Sequence, residues 1–245
     1  MVHFRNAPGW LSVVGAVFIG LGAAGPAQAG FLFIPNRSAL GANDFIDWGV
    51  LGPDPSSVAN PFSRTSSGGI NLVVSQAQGP FRRSDEGRSW LGNFGRGDHL
   101  LYTIDDSRLS SGPITVNFGT VGITAGGLQI QSGGAIGSIF EARIEALDSF
   151  GNVLAIFTRV GVNTGGEDNS AIFLGIRSDN TRFQQLRIGM DSSPAPLGLG
   201  QFAVNRLDFD TRAISVIPEP STLAMGGMAT VILLGYAWRR RAATA

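Results

Sequence analysis

From residue 112 onward the chain alternates apolar residues with polar or small ones, and the period is two. Ile114, Val116 and Phe118 form one such set. Phe140, Ala142, Ile144 and Ala146 form another, with Glu141, Arg143 and Glu145 on the opposite face. Leu154, Ile156, Thr158 and Val160 continue the pattern as an inward face. Ile172, Leu174 and Ile176 follow, then Leu186, Ile188 and Met190. Successive side chains of a strand point to opposite sides of its sheet, so this period predicts half-buried β-strands. No long stretch of the body keeps a helical period. Ser149-Phe150-Gly151-Asn152 separates two of the runs and predicts a hairpin turn, because Gly151 and Asn152 tolerate positive φ. Near Asn205 the inward set switches from Phe202 and Val204 to Leu207 and Phe209, which predicts a β-bulge. Up to about Asp98 the chain reads as richer in loops, with Gly52-Pro53-Asp54-Pro55 and residues 82–88 as exposed connections. Many short strands between Gly, Asn, Asp and Ser turns predict an all-β fold, a β-sandwich.

The two ends follow a different pattern. His3 and Arg5 precede an apolar run over 10–24, and Ala27-Gln28-Ala29 forms a small-x-small cleavage site before Gly30. Residues 1–29 therefore read as a secretory signal peptide. The alternative, a permanent N-terminal membrane helix, fits less well with the Pro26 break. At the other end, residues 223–238 are uncharged and apolar, and Arg239, Arg240 and Arg241 follow at once. As a helix this run spans about 24 Å, a little short of a bilayer core of about 30 Å. Tyr236 and Trp238 suit the headgroup level, and three arginines hold the C-terminus on the cytoplasmic side. Gly226-Gly227 weakens the helix. Pro218 and Pro220 impose extended backbone before it, a form that suits a protease cleft. A plain single-pass anchor behind a proline linker is the competing reading. The division is then 1–29 signal peptide, 30–216 ectodomain and 217–245 tail.

The order of Pro218-Glu219-Pro220-Ser221-Thr222, the apolar segment 223–238 and the arginine cluster 239–241 resembles the PEP-CTERM sorting signal of Gram-negative bacteria. That resemblance implies recognition and removal of the tail by an exosortase. It also implies transient residence in the inner membrane, then release to the cell surface or extracellular matrix. The body carries a second likeness, in Asp47-Trp48-Gly49-Val50-Leu51-Gly52-Pro53, in residues 112–118, 140–146 and 168–175, and in residues 202–208. These resemble a recurrent ectodomain of PEP-CTERM proteins over most of 39–211. The resemblance implies a lectin-like jelly roll, similar in strand pattern to carbohydrate-binding modules.

Composition narrows the chemistry. The body is long enough for one domain with a proper core. Without cysteines it is exported with no disulfides and no thiolate chemistry. The whole chain has a formal net charge of zero, but residues 30–216 hold 14 arginines against 17 acids, a balance of −3. No basic stripe supports a nucleic-acid partner. Every basic residue is arginine. This reads mainly as base-composition bias, although arginine also suits bidentate contact with carboxylates such as those of uronates.

His99 is the only histidine of the body, and adjacent Asp98 is poorly placed to orient it in a triad. One histidine and no cysteine cannot build the usual zinc site. Glu141 and Glu145, with Arg143, read as a solvated ion-pair row, and Asp148, Asp105-Asp106 and Asp208/Asp210 as turn or strand-end acids rather than a glycosidase pair. Glu167, Asp168 and Asn169 in a Gly-rich loop offer hard oxygens to Ca²⁺, but without a D-x-D-x-D-G pattern a polar turn is the competing reading. Arg96-Gly97-Asp98 reads as a chance tripeptide. Trp48 and Trp90, with Phe81, Phe94, Arg82 and Arg83 and near Arg88, Asn93 and Arg96, are the candidates for cradling an acidic polysaccharide. They serve equally well as core plugs. The expectation is a non-enzymatic structural or adhesive protein of an exopolysaccharide envelope or biofilm. The alternatives are a carbohydrate-binding module and, third, a glycan-active hydrolase.

Overall fold

The computed structural model describes residues 30–103, 112–192 and 201–212, with Met228 and Ile232 besides. The signal peptide over 1–29, the motif 218–222, the segment 223–238 and the cluster 239–241 lie outside the described residues, except that Met228 and Ile232 are helical. Among the described residues no helix is long and apolar enough to cross a membrane.

The fold is all-β, with two antiparallel sheets packed face to face. The larger sheet runs β1 (Phe31–Ile34), β12 (Ile172–Ser178), β9 (Ala125–Ser132), β14 (Phe202–Val204), β7 (His99–Thr103), β6 (Phe81–Asp85) and β3 (Ser56–Val58). Beside β14 along the same edge of β9 lies β15 (Leu207–Asp210), which also pairs with β2 (Asp44–Ile46). The smaller sheet runs β11 (Val153–Val162), β10 (Ile139–Leu147), β13 (Gln185–Ser192), β8 (Ile114–Asn117), β5 (Asn71–Ser75) and β4 (Phe62–Thr65). A single turn of helix, α1 (Arg37–Leu40), is capped by Asn36, whose side chain accepts from the Ala39 amide.

The core forms where the alternating apolar sets of the two sheets meet. Ile114, Val116, Ile144, Leu186 and Ile188 come from the smaller sheet, and Leu128, Ile130, Leu174, Ile176 and Val204 from the larger. These agree with the period-two sets, as does the β10–β11 hairpin. There Gly151 takes φ 85°, and the Asp148 carboxylate accepts from the Phe150 and Asn152 amides.

The N-terminal third is richer in loops than the rest, as expected, yet residues 30–85 still carry six short strands. Three expectations need correction. Within that third, residues 82–85 lie in the interior strand β6, where Arg83 is buried against Asp85 with Asp54 nearby. Charged residues hid this strand from a hydrophobic pattern. On β11 the face is inverted: Leu154, Ile156 and Val160 are 41%, 50% and 60% exposed, and Phe157 packs on Phe33 at 5.7 Å. Both faces of β11 are apolar enough to enter a core, so its own sequence leaves the choice open. The hairpin and a bulge between Ala146 and Leu147 decide it, by setting Ile156 opposite Glu145 and Val160 opposite Glu141. Finally, Glu145 is not solvated. It is buried between Arg143 and Arg187, with Arg187 Nε 2.5 Å from its carboxylate.

Asp44, at the start of β2, gives the fold an acid sensitivity. Its carboxylate accepts from Ser66 Oγ at 2.5 Å, Ser67 Oγ at 2.8 Å and the Gly68 amide at 2.7 Å. Burial pushes its pKa up, but these bonds outweigh burial and leave it below the ordinary value. A depressed carboxylate stabilises the fold above its unfolded pKa, and that contribution is lost as pH falls through the folded one. Asp44→Asn is expected to flatten the loss of stability below about pH 4, read as the urea midpoint across a pH series.

Candidate functional site

A cleft of about 540 Å³ opens on the outer face of the larger sheet. It is lined by Pro35, Asn36 and Arg37 at the start of α1 and by the segment from Asn169 to Phe173. Gln129, Asn205, Asp47, Asp98 and Arg206 line it as well. Arg159 reaches in from β11 of the other sheet.

Asn205 organises this cleft, and the bulge explains why. Val204 stands opposite Ile130 and Asp208 opposite Gly127, so three residues, Asn205 to Leu207, face only two, Leu128 and Gln129. The surplus residue turns its side chain into the ladder. The Asn205 Oδ1 accepts from the Gln129 amide at 3.0 Å and from Arg37 Nη2 at 2.9 Å. Its Nδ2 donates to Gln129 Oε1 at 2.6 Å and to Asp98 Oδ2 at 3.0 Å. Gln129 Nε2 passes the network on, donating to Asn169 Oδ1 at 2.9 Å and to Ala171 O at 3.0 Å. Such networks are favourable only when every member is satisfied, and these amides are used on both sides.

The charges are arranged around the same point. Arg37 and Arg206 both pair with Asp208, the latter at 3.0 Å. Arg37 also lies 5.5 Å from the Phe173 ring centre. Burial, and after it the neighbouring Arg206 guanidinium, lower the Arg37 pKa to about 10, while Asp98 opposes the shift. Arg159 donates through Nη1 to Pro35 O at 2.9 Å and to Phe173 O at 3.1 Å.

The sequence-derived candidates fall elsewhere. Trp48 is fully buried, its Nε1–H donating to Asn205 O at 2.8 Å, so it supports the cleft from beneath and presents no face to a sugar. Phe81 and Phe94 are also fully buried. Trp90 is half-buried and packs edge-on against Tyr102 at 4.8 Å. Arg83 is buried in its ion pair and Arg82 is half-buried on β6, so neither joins Trp48 in a common site. In the proposed calcium loop, Glu167 lies near Arg96, the Asp168 carboxylate accepts from the Ser170 amide, and the Asn169 oxygen is taken by Gln129. Two of the three candidate ligands thus spend an oxygen on holding the loop. His99 Nδ1 faces Asp47 at 2.5 Å, not the adjacent Asp98.

Sequence reasoning did not single out Arg37, Arg159 or Gln129. Each is a lone polar residue in an otherwise unremarked segment, and no local pattern joins them. The one available signal was the phase switch at Asn205. Glu86 was missed as well. It is buried beneath the loop that follows it, accepts from the Gly92 amide at 2.6 Å, and has its pKa raised by burial.

No curated protein matches the chain. Among solved structures it is similar to the crystal structure of a DUF4465 family protein from Bacteroides caccae ATCC 43185. The identity is 11%, the TM-score 0.39, and the alignment covers 74% of this chain and 100% of that one. Residues 216–241 match the family model of the PEP-CTERM protein-sorting motif. The chain carries that motif at the place its tail predicted, the mark of an exported, exosortase-targeted protein associated with the Gram-negative cell surface.

Proposed function

We propose that the body spanning 30–216 is a non-enzymatic structural or adhesive component of an exopolysaccharide envelope or biofilm. The observation that carries this reading is the sorting motif over 216–241. In this reading residues 1–29 direct export, and the segment 223–238 crosses the inner membrane as an intermediate. Arg239, Arg240 and Arg241 hold the C-terminus inside. An exosortase then cuts near Pro218-Glu219-Pro220-Ser221-Thr222, and the sandwich leaves without an anchor.

Intact mass of the exported protein tests this. A strain with the exosortase is expected to yield a species beginning near Gly30 and lacking the tail, and a strain without it a species ending at Ala245. A wild-type species that still ends at Ala245 overturns the reading.

A second reading, a carbohydrate-binding module, is supported by the cleft. Its volume falls in the range of about 300–1,000 Å³ typical of small-molecule sites. Its lining of amides, paired charges and one aromatic ring is the chemistry that planar polar groups offer to sugar hydroxyls.

A further inference from the structure

The cleft presents donors to whatever enters it. The orientation of its amides follows from groups that can act in only one way. The Gln129 amide and Arg37 can only donate, so the side-chain atom of Asn205 that meets both is oxygen. The other Asn205 atom is then NH₂, which makes its Gln129 partner an oxygen, so that Gln129 donates to Asn169. Asn169 therefore spends its oxygen inward and keeps Nδ2 for the cleft. Asn36 is fixed likewise, because its oxygen accepts from the Ala39 amide at 2.9 Å.

Arg159 adds charge to these donors. Its hydrogen bonds go to two neutral carbonyls, and among the described residues no carboxylate pairs with it. Its Nε and Nη2 donors are left over. By contrast Arg37 and Arg206 have Asp208, Asp98 is bonded to Asn205, and Asp47 accepts from the Gly49 amide. Counting Asp208, the three arginines at the cleft are balanced by three aspartates, but none of those carboxylates reaches Arg159. Its half-buried guanidinium is left without a carboxylate partner and with a planar pair of donors free. That arrangement suits a carboxylate.

We propose that this cleft binds a uronate residue of an acidic glycan. Arg159 takes the sugar carboxylate, and the Nδ2 groups of Asn36 and Asn169 donate to neighbouring hydroxyl or ring oxygens. The proposal rests on the carbohydrate-binding reading and moves the site from the faces of Trp48 and Trp90 to the polar cleft that Trp48 supports from beneath. The cleft is larger than a lone small carboxylate needs, and its position on the surface of an exported protein gives access to a polymer.

Calorimetric titration of the full chain in detergent micelles tests it. The probes are tetragalacturonate, a hyaluronan tetrasaccharide, the fully methyl-esterified tetragalacturonate and acetate. At least one acidic oligosaccharide is expected to bind ten-fold or more tightly than the neutral ester. Arg159→Gln is expected to lose ten-fold or more on that acid and to change ester binding little. Asn36→Asp retains a good helix cap and adds a negative charge at the rim, so it is expected to weaken the acid five-fold or more. Arg64→Gln, on the exposed part of β4, is expected to change nothing. Thermal melts of each variant confirm that it is folded; should Arg159→Gln not fold, Asn36→Asp decides. Equal binding of acid and ester overturns the uronate assignment and leaves the carbohydrate reading standing. Binding of no oligosaccharide overturns both. Acetate binding as tightly as the oligosaccharides, with the same loss in Arg159→Gln, marks a free-carboxylate site and overturns the glycan.

Discussion

Trp48→Ala is expected to destabilise the protein by about 3–5 kcal/mol, the range for emptying a fully buried aromatic site. Trp48 is fully enclosed and meets Phe62 edge to face at 6.5 Å, which in turn meets Phe81 at 5.5 Å. The truncation therefore opens a cavity beside two other rings and also strips Asn205 O of its donor. Trp48→Phe separates the two effects. It keeps much of the ring volume but still removes the indole N–H, so it is expected to cost about 1–3 kcal/mol. Urea unfolding of both variants checks this. A loss below 1 kcal/mol in Trp48→Ala would mean that the side chain is not in the core.

Asn205→Ala is expected to cost about 3 kcal/mol, because one deletion leaves several buried partners unsatisfied at once. The side chain makes four hydrogen bonds, and its loss strands the Gln129 amide and Gln129 Oε1 inside the larger sheet. Gln129→Ala removes the Oε1 link from the other side, while its backbone N–H still donates to Asn205. The double variant is therefore expected to be less destabilised than the two singles together, with a coupling of about 1–3 kcal/mol in a double-mutant cycle. Strict additivity would show that the two amides do not act as one unit. Asn205→Ala also removes one of the bonds that position Arg37 and loosens Gln129, which holds Asn169, so any glycan affinity of the cleft is expected to fall with it.

Much of the architecture was legible because strand signals are local. The set Phe140, Ala142, Ile144 and Ala146 reads inward from a few adjacent residues, and the structure buries all four. The turn at Asp148 to Asn152 carries its own φ requirement at Gly151 and its own hydrogen bonds. The phase switch at Asn205 likewise lies within a single short segment. Strand β6 was not legible, because Arg83 and Asp85 neutralise one another only after folding brings in Asp54 and the neighbouring strands. Trp48 and Trp90 were ambiguous, since a large aromatic has the same sequence appearance in a core as on a binding face.

The sequence by itself determined the strand alternation and the sorting tail, because each is written in contiguous residues whose period, length and charge act without distant partners. Tertiary structure alone decided which face of β11 turns inward and where the polar cleft lies. β11 is apolar on both faces, so its orientation came from the register of its hairpin. The cleft draws Arg37, Gln129, Arg159 and Asn205 from separate strands and turns. Their charges and amides acquire a common chemistry only when the two sheets close, and no spacing along the chain records that distance.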